Sequence, residues 1–316
     1  MFPPQSEECV ASLVEREQAH MPRADYGERL RGGGGGGDVD LRVRSEAIGW
    51  IWEVYTYYNF SSVTAYLAVN YLDRFLSHYQ LPEGRDWMTQ LLSVACLSLA
   101  AKMEETVVPQ CLDLQIGESR LLFEVETIHR MELLVLTNLN WRMQAVTPFS
   151  YIDYFLRKLN GGNATPRSWL LRSSELILRI VAGTGFLEFR PSEIAAAVAA
   201  TVAGEATGVV EEDIAEACTH VDKERVLQCQ EAIQDHHYSM ATINTVQPKP
   251  ASTRRGSGSA SSSVPESPVA VLDAGCLSYK SDDTDAATIA SHGGGRRKSC
   301  FDSSPVTSKK RRKLSR

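Results

Sequence analysis

From Leu41 to about Asp235 apolar residues recur at helical spacing. Sustained alternation is missing and no Asn-Gly turn stands between alternating runs, so the pattern predicts helices throughout. The expected spans are 42–58, 62–79, 86–104 and 119–139, then 148–159, 167–183, 191–205, 211–219 and 221–236. Polar or Pro/Gly breaks separate them, such as Leu81-Pro82-Glu83-Gly84 and Asn160-Gly161-Gly162-Asn163. Pro148 and Pro191 stand where a first-turn proline starts a helix. Two stretches, Trp87–Ala101 and Ile194–Gly204, are apolar nearly all round. A helix without a polar face must be surrounded by others, so each half is expected to be a bundle around one central helix. The expected fold class is all-α, with two tandem bundles.

The flanks behave differently. Residues 5–31 read as a short helix, with Val10, Leu13 and Val14 on one face, followed by a turn after Pro22. Gly32–Gly37 is a run of six glycines. No strand precedes it and no Gly-Lys-Ser/Thr follows it, so it reads as a linker within a 1–40 N-terminal segment rather than a phosphate loop. Beyond Val246, Ser, Thr, Gly, Pro and Asp dominate, and residues 246–316 are expected to be disordered.

Composition narrows the classes. Apolar residues make up 43% of the 316, enough to exclude a wholly disordered chain. The uncharged run Trp87–Ala101 is 15 residues long, short of the roughly 20 of a membrane span. MFPPQSEECV has no apolar segment of a secretory signal. The 7 cysteines are scattered without a Cys-x-x-Cys pair, against a disulfide framework or zinc site and for a reducing compartment. Residues 246–316 carry 13 Lys and Arg against 6 Asp and Glu, while the rest carries 20 against 33. An acidic body with a basic tail disfavours nucleic-acid binding by the folded part.

Catalytic signatures are missing: the sequence has no G-x-S-x-G, H-E-x-x-H, P-loop or G-x-G-x-x-G. His236-His237 is expected to cap a helix end. Charges inside apolar helices stand out instead. Arg44 and Asp73 each have apolar flanks, and they are either a buried pair or two exposed charges. Lys102 ends the central apolar helix, where a cation complements the helix dipole. Glu132 precedes Leu133-Leu134-Val135-Leu136 and could simply pack its stem. Alternatively the two face one surface, where Lys donates to a partner's carbonyls and Glu accepts from its amides.

At these residues the chain resembles the cyclin family. Arg44…Trp50, Tyr71-Leu72-Asp73-Arg74-Phe75-Leu76, Ser98–Glu105 and Arg130–Leu136 occur in the cyclin order and spacing, and Leu91 falls on the core leucine. Phe186–Arg190 with Ser192–Ala197 is similar to plant D-type members. The resemblance implies two five-helix cyclin boxes, about 41–142 and 145–238. It implies that Lys102 and Glu132 contact a cyclin-dependent kinase, and that Arg44, Asp73 and Leu91 support that box. A substrate-docking groove would use Val43, Glu46, Trp50 and Gln90, with Glu46 departing from an apolar residue, which either favours basic peptides or weakens the groove.

No Leu-x-Cys-x-Glu stands near the N-terminus, although Leu227–Glu231 fits the string inside an expected helix. Lys309, Lys310, Arg311, Arg312 and Lys313 read as a nuclear-import signal. Ser267 and Ser304 precede proline, and Ser257 and Ser299 follow basic residues, so all four are candidate phosphorylation sites.

The expected protein is a nuclear, non-enzymatic regulatory subunit that activates a cyclin-dependent serine/threonine kinase at the G1-to-S transition. Retinoblastoma-type pocket proteins and kinase-inhibitor proteins are further expected partners. Cofactor, metal, nucleic acid and membrane are not expected. The alternatives are a transcription-type cyclin and a non-activating scaffold.

Overall fold

A computed structural model describes residues 6–32, 37–82, 84–116, 121–208 and 211–245. Among these, eleven α-helices and no strands are present. They are α1 (Glu7–Glu17), α2 (Tyr26–Arg31), α3 (Gly37–Tyr58), α4 (Ser62–His78), α5 (Asp86–Glu104), α6 (Val125–Asn138), α7 (Ile152–Leu159), α8 (Arg167–Val181), α9 (Pro191–Thr207), α10 (Glu211–Ala217) and α11 (Lys223–Thr245).

α5 is the axis of the first bundle and packs against α3, α4 and α6. Met88 to Ala101 is buried along it except Gln90, which explains the missing polar face. α9 is the axis of the second, against α7, α8, α10 and α11. Alanines 195, 196, 197, 199 and 200 let the neighbouring helices approach it closely.

Local capping sets the joints. Ser61 accepts from the Thr64 amide and starts α4. Glu105, just past α5, accepts from the Ser61 amide at 2.8 Å and from the Thr64 hydroxyl at 2.5 Å. The end of α5 therefore fixes the start of α4.

Four boundaries differ from the sequence pattern. The segment after Pro22 holds a helix, α2, where a turn was expected. Residues 119–124 are not helical where described. The Gln115 amide clamps Phe123, donating to its carbonyl at 3.1 Å and accepting from its N–H at 2.7 Å, so a side chain replaces helical bonding there. A turn at Cys111–Leu114 stands between α5 and α6 where the first bundle would hold a further helix. Finally, α11 continues past His236-His237 to Thr245. No Gly or Pro interrupts the chain before Pro248, and His236 packs its ring edge-on against Phe186 rather than capping an end.

Of the expected glycine linker, Gly33–Gly36 lie outside the described residues, but Gly37 opens α3. A Cβ at Gly37 would come within 2.6 Å of the Arg29 carbonyl, so glycine is needed for close approach there. The 246–316 tail, with Ser257, Ser267, Ser299, Ser304 and Lys309–Lys313, lies outside the described residues. The Leu227–Glu231 string is helical, and its Cys229 is fully buried.

Candidate kinase-contact surface and its support

Lys102 in the last turn of α5 and Glu132 in α6 come together at the surface of the first bundle. The Lys102 Nζ lies 2.5 Å from Glu132 Oε1. The lysine side chain is 42% exposed and the glutamate 8%. Half the pair is therefore anchored in protein and half faces outward. The ammonium keeps two further N–H donors beyond the one given to Glu132. Met103 and Leu133, next to each charge in the chain, are exposed at 42% and 54%.

A buried ion pair also ties helices of the first bundle together. Arg44 of α3 grips Asp73 of α4 bidentately, Nε to Oδ1 at 2.7 Å and Nη2 to Oδ2 at 3.1 Å. The remaining donors reach the second bundle, Nη1 to the Ala182 carbonyl at 2.6 Å and Nη2 to the Val181 carbonyl at 2.7 Å. Arg44 and Asp73 are 1% and 3% exposed, so the two-exposed-charges alternative does not describe them. Burial works against the guanidinium charge, but Asp73 outweighs it and holds the Arg44 pKa above its ordinary value. Leu91 is fully buried in the same core.

Two participants escaped the sequence reading. Tyr26, fully buried, donates its hydroxyl to Asp73 Oδ1 at 3.2 Å. Arg29 donates to the Leu76 carbonyl at 2.6 Å. Both sit in α2, within the segment read as a turn. The only signal was the Tyr26/Leu30 spacing, too short to stand out.

The expected groove residues are less united. Val43 is 8% exposed and belongs to the first core, so it forms no open apolar wall. Trp50 is partly buried against that core, and its Nε1 is buried without a partner. Glu46 is exposed, 4.0 Å from Arg42. Gln90 donates to the Leu121 carbonyl at 3.2 Å. No described helix is long and apolar enough to cross a membrane. The described residues hold no cluster of three metal-ligating side chains.

The described residues thus form two helical bundles in tandem, each around one central helix. Residues 8–144 match the cyclin N-terminal domain and residues 146–265 the cyclin C-terminal domain, and the chain belongs to the cyclin family. Within it the chain groups with the D-type members. It is 95% identical to Cyclin-D4-2 of Oryza sativa subsp. japonica over all of this chain and 82% of that protein. Identity to the rice Cyclin-D4-1 is 62%, over 98% of this chain and 82% of that one. To Cyclin-D4-2 of Arabidopsis thaliana it is 53%, over 65% and 67%. A viral cyclin from herpesvirus saimiri shares the fold, with a TM-score of 0.53 at 14% identity, over 65% of this chain and 88% of that one.

Proposed function

We propose that this chain is the regulatory subunit of a cyclin-dependent serine/threonine kinase, acting at the G1-to-S transition. The observation that carries the reading is the outward-facing Lys102 held by a nearly buried Glu132. The chain supplies no chemistry. Lys102 donates to carbonyls of the kinase's regulatory helix, and Glu132 accepts from amides. A partner that binds only the aligned kinase conformation shifts the population toward it. A preference of about 100-fold corresponds to roughly 2.7 kcal/mol. The Arg44–Asp73 bridge and the buried Leu91 stabilise the bundle that presents that surface.

The same reading assigns the remaining expectations. Lys309–Lys313 directs nuclear import. Ser257, Ser267, Ser299 and Ser304 are phosphorylated to tune the tail's charge. Glu46, Trp50 and Gln90 take substrate peptides with basic residues, while pocket proteins and kinase inhibitors are further partners.

The test is reconstitution with a cyclin-dependent kinase and a pocket-protein fragment. Lys102→Glu should lower kinase activation by tenfold or more, with circular dichroism unchanged. Unchanged activation in a folded Lys102→Glu variant would remove the basis of the proposal.

A further inference from the structure

Between the residues that follow α1 and the C-terminal ends of α4 and α6 lies a cavity of about 330 Å³. Arg23, Arg74, His78, Asn138 and Arg142 line it, and among the described residues no carboxylate does. Arg74 is only 4% exposed, yet no described carboxylate pairs with it. Its Nη1 meets the Asn70 Oδ1 at 3.4 Å and the Arg142 carbonyl at 3.0 Å. No described acceptor meets its Nε or Nη2. The contrast with Arg44 is direct, since both are buried and only Arg44 has a counter-charge. A lone buried cation is among the most expensive groups a fold can hold.

The surroundings make the imbalance worse. Burial and, more weakly, neighbouring Arg142 push the Arg74 guanidinium down to about 10, against an opposing effect of Tyr71. The Arg142 side chain is exposed at the rim with no described carboxylate partner. His20, buried nearby, has an unpartnered Nδ1, and its ring is held below its ordinary pKa by burial and by Arg74, Arg16 and Arg142. Arg23 is paired only with Asp25 across open surface, at 3.1 Å. The Asn138 Oδ1 is buried without a partner, and turning that amide over presents its N–H groups instead.

We infer that this cavity is an anion site for a phosphoryl group, with Arg74 as its buried anchor and Arg142, Arg23 and His78 closing around it. A phosphate monoester carries close to two negative charges and three acceptor oxygens, which suits two guanidinium groups without a counter-charge better than one carboxylate does. The group can come from a phosphoserine, for which this chain's own Ser-Pro site at Ser267 is a source, or from free phosphate.

The test uses the full chain and three probes: a labelled 262–272 peptide phosphorylated at Ser267, the same peptide unphosphorylated, and inorganic phosphate, with chloride at matched ionic strength as control. Phosphate should raise the melting temperature where chloride does not. Arg142→Gln and Arg74→Gln should each weaken the phosphate response by about tenfold, the range of a lost charge-assisted contact. The Arg142 side chain lies at the surface, so its variant keeps the test sharp if Arg74→Gln fails to fold. Phosphopeptide binding at least tenfold tighter than free phosphate assigns the site to phosphoserine. Equal affinities, with the unphosphorylated peptide inert, assign it to a small phosphate. A chloride response equal to that of phosphate would overturn the site. So would phosphate binding that Arg142→Gln leaves unchanged, or no binding of the phosphopeptide or of inorganic phosphate below about 10 mM.

Discussion

Burying a guanidinium to 1% exposure is costly unless its donors and its charge are met, and Arg44 meets them from both bundles. Removing one partner leaves the other charge stranded. Asp73→Ala should therefore cost about 3–5 kcal/mol in urea unfolding. The double variant Arg44→Met, Asp73→Leu should cost less than that single change, because it leaves no charge behind. A loss below about 1 kcal/mol for Asp73→Ala would show that the pair matters little. Arg44 and Asp73 were visible in the sequence because charges between apolar flanks are costly to bury alone. Their other partners were not. The Val181 and Ala182 carbonyls leave no trace in residue type, and they lie 137 and 138 positions away. Lys102 and Glu132 were likewise visible as opposite charges. Their mutual bond at 2.5 Å was not, since the register between α5 and α6 depends on the loop that joins them.

At the scale of elements, α1 shows how a short helix of low apolar content is held. Carboxylates at both ends fasten it to the second bundle. Glu7 receives Lys158 at 2.7 Å and the Tyr154 hydroxyl at 2.6 Å. Glu17, fully buried, receives the Ser192 hydroxyl at 2.8 Å, the Ser192 amide at 3.0 Å and the Tyr151 hydroxyl at 3.1 Å. The two ends titrate in opposite senses. Hydrogen bonds from Lys158 and Tyr154 lower the Glu7 pKa to about 2. Its contribution is thus complete above the ordinary 4.5 and is lost as pH falls toward 2. Burial raises Glu17 instead, so holding it charged costs stability as pH climbs above 4.5. His20 acts against Glu17, because its depressed ring favours the folded state only while neutral. Comparison with Glu17→Gln isolates the carboxyl. At pH 8 the variant should protect α1 from hydrogen exchange better than wild type, and the gap should close toward pH 5. A gap that widens on acidification would contradict the burial argument. Lys158→Ala should start the release of α1 at higher pH than in wild type.

The main helices of both bundles could be read from periodicity because each has a continuous apolar face. α2 could not, because six residues hold too little pattern, and its reason for folding is the distant Asp73 and Leu76.

Over the whole described body, the chain crosses between its bundles more than once before either is complete. α1 fastens to α7 and α9 of the second bundle, α2 returns to Asp73 and Leu76 of the first, and Arg44 reaches back to the end of α8. The bundles thus share polar groups that neither satisfies alone, and splitting them strands buried donors and acceptors on both sides. Unfolding should accordingly be a single calorimetric transition, with calorimetric and van't Hoff enthalpies equal. Arg44→Met removes the link with the most partners while leaving both apolar cores intact. It should split the endotherm in two or bring the calorimetric enthalpy above the van't Hoff value. The same substitution acts far from Lys102 in the chain, so the proposed kinase contact should weaken only at temperatures where the first endotherm has begun. A single sharp endotherm with matched enthalpies in Arg44→Met would place the coupling in the apolar contact between bundles, where α4 packs on α8, and not in the guanidinium.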